Sequence, residues 1–334
     1  MRLVFAIFGI ALMLGSPFTF SQAQDIRFFR IGTGGIAGTY YPIGGMISNA
    51  ISNPPGSLPC DEGGSCGPPG LVVIAQSANG SVANVAGIEK GVLESGFVQS
   101  DIAHWAYTGT GTFAGQSPSA NLRAIANLYS ESVHIVARKD SGIIRVQDLV
   151  GKRVSIDEPG SGTLIDAKLV LEEYGISKGD IEVEYLKPAV AMERIRQRRL
   201  DAFFVVAGYP ARSISELAGD TAIRLVPIDG AEAERLVSRN QFFSLDEIPG
   251  ETYPGVDRVN TISVGAQWLV GSSVDTETVY GITRTLWNRN SRKLLDSGHA
   301  KGQHIRLETA LDGVTVPLHP GAKRYYREVG MVDE

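Results

Sequence analysis

Beyond one run near its start, the chain has no apolar stretch approaching the roughly 20 residues needed to span a bilayer. The run it does have, Leu3 to Leu14, ends after 12 residues. Basic residues are outnumbered, 31 Lys and Arg against 36 Asp and Glu, which argues against a nucleic-acid partner, whose binding face is normally basic. Histidine is sparse, and its five copies are scattered too widely to form a metal pattern. Two cysteines cannot hold zinc without two further ligands, and no nearby histidine supplies them; no metal and no cofactor is expected. The chain also lacks a His-Glu-x-x-His pair, and its one formal Gly-x-Ser-x-Gly match, Gly63–Gly67, lies in the loop that holds the two cysteines and not at a strand-to-helix elbow, which removes the commonest signatures of nucleophilic and zinc-dependent hydrolysis.

The short apolar run follows Arg2 and leads through Ser16 and Pro17 to the small-x-small triplet Ser21-Gln22-Ala23. That layout predicts a secretory signal peptide over residues 1–23 with cleavage after Ala23, and a soluble, extracytoplasmic mature protein. Losing Arg2 takes the formal charge from −5 to −6. With 43% apolar residues over the full chain, the sequence is long enough for two lobes around sizeable cores. An oxidising compartment favours a disulfide between Cys60 and Cys66, which bracket five residues in a glycine- and proline-rich loop from Asn53 to Gly70.

One unit recurs along the chain: a short apolar strand, a polar turn and a helix. It occurs at Phe28–Ile31 followed by Gly32-Thr33-Gly34-Gly35-Ile36-Ala37-Gly38-Thr39-Tyr40-Tyr41, and at Leu71–Ala75 followed by Gln76-Ser77-Ala78-Asn79-Gly80-Ser81. Further copies run from Gly96–Val98 into Gln99-Ser100-Asp101, from Arg153–Ile156 through Asp157–Thr163, and from Leu200–Ala207 into Gly208-Tyr209-Pro210. Gly32–Ala37 fits the dinucleotide pattern G-x-G-x-x-A, but the acidic residue expected about 20 positions later is missing. Alternating strands and helices predict a mostly parallel sheet, with ligands beyond the carboxyl ends of its strands. All five turns lie there, and a helix N-terminus offers unpaired N–H groups and about half a positive charge to an anion.

Individual positions carry a functional and a structural reading. Thr33, Gly38, Thr39 and Tyr40 either contact ligand or complete the first turn; Ser77, Asn79, Gly80 and Ser81 either bind or serve the second, with Ser81 placed to cap the next helix. Gln99 has no capping use and is the better ligand candidate beside Ser100. Ser161, Gly162 and Thr163 are ligand candidates on the fourth turn; Thr163 with Asp166 also matches a capping box, whereas the bare amide of Gly162 has no such alternative use. Gly208 and Tyr209 complete the set. Glu131 lies on the extended run Leu128–Arg138, which is long enough to carry the chain between lobes, and a carboxylate there can pair with an ammonium group or be an ordinary salt-bridged acid. His104, His134 and His319 are expected to be packed or surface residues. Arg194, Arg196, Arg198 and Arg199 read as the solvated face of a helix over 189–199, with a permease contact as the other reading. Asn79-Gly80-Ser81 is a formal glycosylation sequon in a position poorly suited to modification.

Arg30–Gly35 with Gly38–Pro42, Asn79–Asn84, Gln99–Asp101, Asp157–Thr163 and Pro317–Ala322, in that order, resemble the TAXI family of solute receptors for TRAP transporters, and within it the cell-surface immunogenic protein group. The likeness covers nearly all of the mature chain. It implies an α/β two-lobe type II periplasmic binding protein with its ligand cleft between the lobes. Such a protein is not an enzyme; it carries a small organic acid, a glutamate-like amino acid or a dicarboxylate or 2-oxoacid, to a fused TRAP membrane permease. The lobes are expected at 24–130 with 231–334, and at 131–230. The turns lack arginine and lysine, so carboxylate capture is expected from main-chain and hydroxyl donors. The competing functions are an exported enzyme acting on a small anionic substrate and a surface interaction protein.

Overall fold

A computed structural model describes residues 25–333; the expected signal peptide lies outside them. Among the described residues no helix is long and apolar enough to cross a membrane. The fold is mixed α/β, with two lobes built on one ten-stranded sheet of order β2-β1-β3-β10-β4-β7-β5-β6, β8 pairing with β4 and β9 with β10.

The first lobe contains β1 (Arg27–Gly32), α1 (Tyr40–Ile51), β2 (Leu71–Gln76), α2 (Ser81–Glu89), β3 (Ser95–Gln99) and α3 (Ser100–Thr108). Strand β4 (Leu122–Arg138) then leads into β5 (Arg153–Ser155), α4 (Thr163–Glu173), β6 (Glu182–Glu184), α5 (Pro188–Arg196), β7 (Ala202–Ala207), α6 (Arg212–Ala218), β8 (Ile223–Leu225), α7 (Gly230–Arg239) and β9 (Phe243–Ile248). Strand β10 (Val259–Gly271) returns the chain to α8 (Thr276–Leu286), α9 (Arg289–Gly298) and α10 (Pro320–Glu328).

Strands β4 and β10 pass from one core to the other side by side. Strand β4 pairs with β10 over Leu122–Ser132, and its end pairs with β7 over Ser132–Ala137 and with β8. Strand β10 pairs with β9 over Val259–Val264 and with β3 over Ala266–Val270. All these pairings are antiparallel, whereas β1·β2, β1·β3, β5·β6 and β5·β7 are parallel. The expected mostly parallel sheet is therefore corrected to one with parallel wings and an antiparallel centre. The recurring strand–turn–helix unit revealed the wings, while the centre is made by strands that belong to no such unit.

The alternation of the strands buries apolar clusters on both faces of the sheet in each lobe. In the first, Trp268 is fully buried with its ring edge-on to Phe97 and Phe29, centroids 6.1 and 6.4 Å away. In the second, Val133, Ile135, Val154, Leu171 and Phe204 are joined by Leu236, Phe243, Ile262 and Val264. The segment 231–264 thus packs in the second core, not with the first lobe as the boundary at residue 230 implied. A local amphipathic helix such as α7 does not reveal which core it will join.

Two local expectations also change. Helix α5 ends at Arg196, and Arg198 takes a left-handed φ of 56°. The arginines therefore do not share a helix face; Arg194, Arg196 and Arg198 pair with Glu184, Asp220 and Asp140. The Thr163/Asp166 capping box does not form: Gly162 is the N-cap, Ser161 Oγ accepts from Leu164 N at 3.1 Å, and Thr163 Oγ1 accepts from Val206 N at 3.0 Å. Cys60 and Cys66 are bonded, and their loop is tied to the helices by Thr285 Oγ1, which donates to Cys66 O at 2.9 Å.

Asp201 pins the second lobe. It accepts from Arg153 at 2.7 Å and Arg138 at 2.9 Å, and its side chain is 13% exposed. Hydrogen bonding from Arg153, against the cost of burial, lowers its carboxyl to about 2. A carboxyl held below its unfolded value of about 3.9 contributes stability that is complete above that value and is lost as the pH falls through about 2. Asp201→Asn is expected to cost about 2–3 kcal/mol near neutrality. Urea unfolding should show that deficit narrowing as the pH falls from about 4 toward about 2.

Candidate ligand-binding site

The polar turns meet between the lobes around a cavity of about 300 Å³. The N-cap residues of α1, α2, α4 and α5, namely Thr39, Gly80, Gly162 and Lys187, all line it. Each first turn leaves N–H groups without an intrahelical acceptor, so the cavity is electropositive through its main chain. Asn84 sets part of this geometry: its fully buried amide donates to Gly32 O, Thr33 O and Phe97 O at 3.1, 2.9 and 2.8 Å. These bonds lock α2 onto the ends of β1 and β3. A Cβ on Gly32 would lie 2.5 Å from Asn84 Oδ1, so glycine is required for that close approach.

Hydrogen bonds join the lobes across the cavity. Thr39 Oγ1 donates to Gly208 O at 2.6 Å, Gln99 Nε2 to Asp166 Oδ2 at 2.7 Å, and Ala83 N to Gly160 O at 2.9 Å. Lys187 Nζ donates to Asn79 Oδ1 at 3.3 Å. Gly162 sits where any side chain would collide, since a Cβ there would fall 1.3 Å from Gln99 Oε1. The structure is thus a closed one.

Of the residues singled out in the sequence, Gly38, Thr39, Tyr40, Ser77, Asn79, Gly80 and Ser81 line the cavity from the first lobe together with Gln99. Ser161, Gly162 and Thr163 line it from the second, and Glu131 from β4. Four do not. Thr33 is fully buried, with Oγ1 donating to Gln76 O at 2.8 Å. Ser100 Oγ accepts from Gly265 N at 3.3 Å. Gly208 is occupied by Thr39, and the Tyr209 ring lies under Lys301, with Nζ 3.7 Å from its centroid. These four support the turns without forming the wall. His134 and His319 are packed: His134 Nε2 lies 2.9 Å from the Tyr253 hydroxyl, and His319 Nδ1 accepts from Gly321 N at the start of α10.

The sequence reading missed the charged rim. Asp157, Glu158 and Lys187 line the cavity, with Lys187 Nζ 3.2 Å from Glu158 Oε1. The five turns carry no lysine or arginine, as read from the sequence, but Lys187 reaches the cavity from the residue preceding α5, a sixth segment outside them. The Pro188 that follows it, fit for a first helical turn, was the signal that marked this start. An apolar wall of Ile36, Val205 and Val206 was likewise not foreseen.

Glu131 is 2% exposed, and its Oε2 has no hydrogen-bond partner, nor do the buried hydroxyls of Tyr40 and Tyr129. Burial pushes its carboxyl up to about 8, opposed by the Tyr40 hydroxyl and the charge of Lys301 and reinforced by Asp101. Burial likewise raises Asp157 to about 7, against the pull of the Glu158 N–H. Lys301 is itself lowered by desolvation, with Asp246 and Glu131 acting to restore it. Near neutral pH the cavity can therefore offer carboxyl groups as donors as well as carboxylates as acceptors.

Comparisons with known proteins agree with this architecture. A protein of Bordetella bronchiseptica RB50 superimposes with a TM-score of 0.51 at 15% identity, covering 93% of this chain and 84% of that one. The alkanesulfonate-binding protein SsuA from Xanthomonas axonopodis pv. citri, bound to MOPS, has a TM-score of 0.45 at 18% identity over 91% of this chain and 85% of its own. The periplasmic aliphatic sulphonate binding protein SsuA from Escherichia coli gives 0.43 at 16%, over 90% and 78%. At such identities the first likeness concerns the fold alone, and the two weaker ones are similarities only. The profile of the NMT1-like family matches residues 31–330, nearly the whole described chain, and this protein belongs to that family.

Proposed function

We propose that this protein is an extracytoplasmic solute receptor whose lobes close on a small organic acid and present it to a membrane permease. The permease is of the TRAP type, fused in the manner implied by the resemblance to TAXI receptors, and the protein works in the periplasm after export through residues 1–23. The observation that carries this reading is the convergence of four helix N-termini, from both lobes, on one closed cavity. Such a site attracts a carboxylate to main-chain N–H groups without an arginine clamp.

A thermal-shift screen of the mature protein against amino acids, dicarboxylates and 2-oxoacids tests this directly. A ligand at 100 times its dissociation constant adds about 2.7 kcal/mol of stability, and a selective rise in Tm with one acid is the expected outcome. No rise with any of them, in protein shown to be ligand-free, would overturn the receptor reading. Gly162→Ala, which drives a Cβ into Gln99, is expected to leave the unliganded protein folded while weakening the selected acid by at least about ten-fold, or 1.4 kcal/mol.

Glu131 separates the two ligand classes. A glutamate-like amino acid would place its ammonium on an ionised Glu131, so affinity would rise as the pH approaches about 8. A dicarboxylate or 2-oxoacid would instead accept from a protonated Glu131, and its affinity would fall as the pH rises through that value. Glu131→Gln keeps a donor but loses the charge. It should weaken an amino acid by about 10- to 100-fold and leave a dicarboxylate nearly unchanged, as read by calorimetry at several pH values.

A further inference from the structure

Where α3 of the first lobe meets α4 of the second, two aspartates face each other. Asp101 and Asp166 are both fully buried and within hydrogen-bonding reach of one another. Gln99 Nε2 donates to Asp166 Oδ2. Asp166 Oδ1 and both side-chain oxygens of Asp101 have no partner. Two carboxylates in contact present only acceptors, and burying both as anions costs several kcal/mol per ion.

The surroundings do not neutralise them. Glu131 on β4, once ionised, adds negative charge facing Asp166, and Lys301 acts on Glu131 instead of on the pair. His104, one turn along α3, is turned toward Phe242, their ring centroids 4.9 Å apart. The main-chain amides of Asp101 and Ile102 favour the ionised form of Asp101, but burial outweighs them. A metal ion would be another source of positive charge, yet among the described residues no group of three His, Cys, Asp or Glu side chains is arranged to hold one. A proton completes the contact.

We propose that a proton is a second ligand of this receptor, taken from solvent onto the Asp101–Asp166 pair as the lobes meet and returned to solvent as they part. The inference rests on the hinge-closing reading above but not on the identity of the solute. Ile165 and Leu169 of α4 pack against the first-lobe cluster that contains Ile102 and Trp105, so the pair lies within the contact between lobes. Separated and solvated, the two carboxyls would ionise near about 3.9. In contact, burial raises both, Asp166 furthest with help from the charge of Asp101. Closure is therefore complete on the acid side and is lost as the pH rises through the value of the closed pair. Between about 3.9 and that value, each pH unit shifts the closed-to-open ratio about ten-fold toward open.

Small-angle X-ray scattering on the mature protein without added solute, from about pH 6 to about pH 9, tests this in the range where solvated aspartates no longer titrate. The wild-type radius of gyration is expected to rise with pH. Asp166→Asn, whose amide supplies a permanent donor toward Asp101, should stay compact throughout, as should Asp101→Asn from the other side. Glu131→Gln should still expand, since the pair is intact. A constant wild-type radius, or the same expansion in both asparagine variants, would overturn the proposal. Circular dichroism on each variant separates opening from unfolding. Because no solute is added, this result stands apart from the thermal-shift screen, and either can fail alone.

Discussion

Everything in this protein hangs on two strands, β4 and β10, running antiparallel through both lobes. Each enters one core, crosses, and finishes in the other. Their pairing shifts register between Ala266 and Gln267 and again between Trp268 and Leu269, irregularities of the kind that bend and twist a sheet. The crossing sets where the lobes meet, and hence which turns face each other. It also explains Glu131: with a period of two along β4, Tyr129 and Glu131 share a face at the crossing, so a carboxylate is held at the base of the cleft by strands that cannot move without the lobes.

The carboxyl groups show how local company decides charge. Asp201 and Asp157 are the same residue type in the same lobe. Two guanidinium groups lower the first to about 2, while the second, facing a Glu158 N–H but no cation of its own, is raised to about 7. The first gives a rigid anchor. The second belongs to a group of buried acids whose protonation depends on what else fills the space between the lobes.

Much of this was legible in the sequence because strands and turns announce themselves locally. The polar turns were found from short apolar runs ending in glycine and hydroxyl residues, and Gln99 from the lack of any capping use. What could not be read was anything fixed by distant pairing. Lys187 reaches the cavity from just before α5 and Val205 from within a strand that the sequence marked only as apolar, and the side chain of Asp166, three residues into its helix, serves a residue 67 positions away instead of its own N-terminus. Ser100 and Thr33 misled for the opposite reason: their hydroxyls have neighbours to satisfy that only the assembled sheet supplies. The segment 231–264 changed lobes because helix amphipathicity states that a face is buried without stating against what.

The positive field of this cavity is written mainly in its main chain, at the starts of α1, α2, α4 and α5. Short of a substitution to proline, a backbone N–H is not deleted by exchanging one side chain for another, so that field is insulated from most sequence drift as long as the helices start where they do. Selectivity is stored elsewhere, in the few side chains such as Ile36, Glu131, Lys187 and Val205 that shape the remaining wall. Descendants of one scaffold can therefore reshape the site by altering a handful of positions while keeping the same main-chain field.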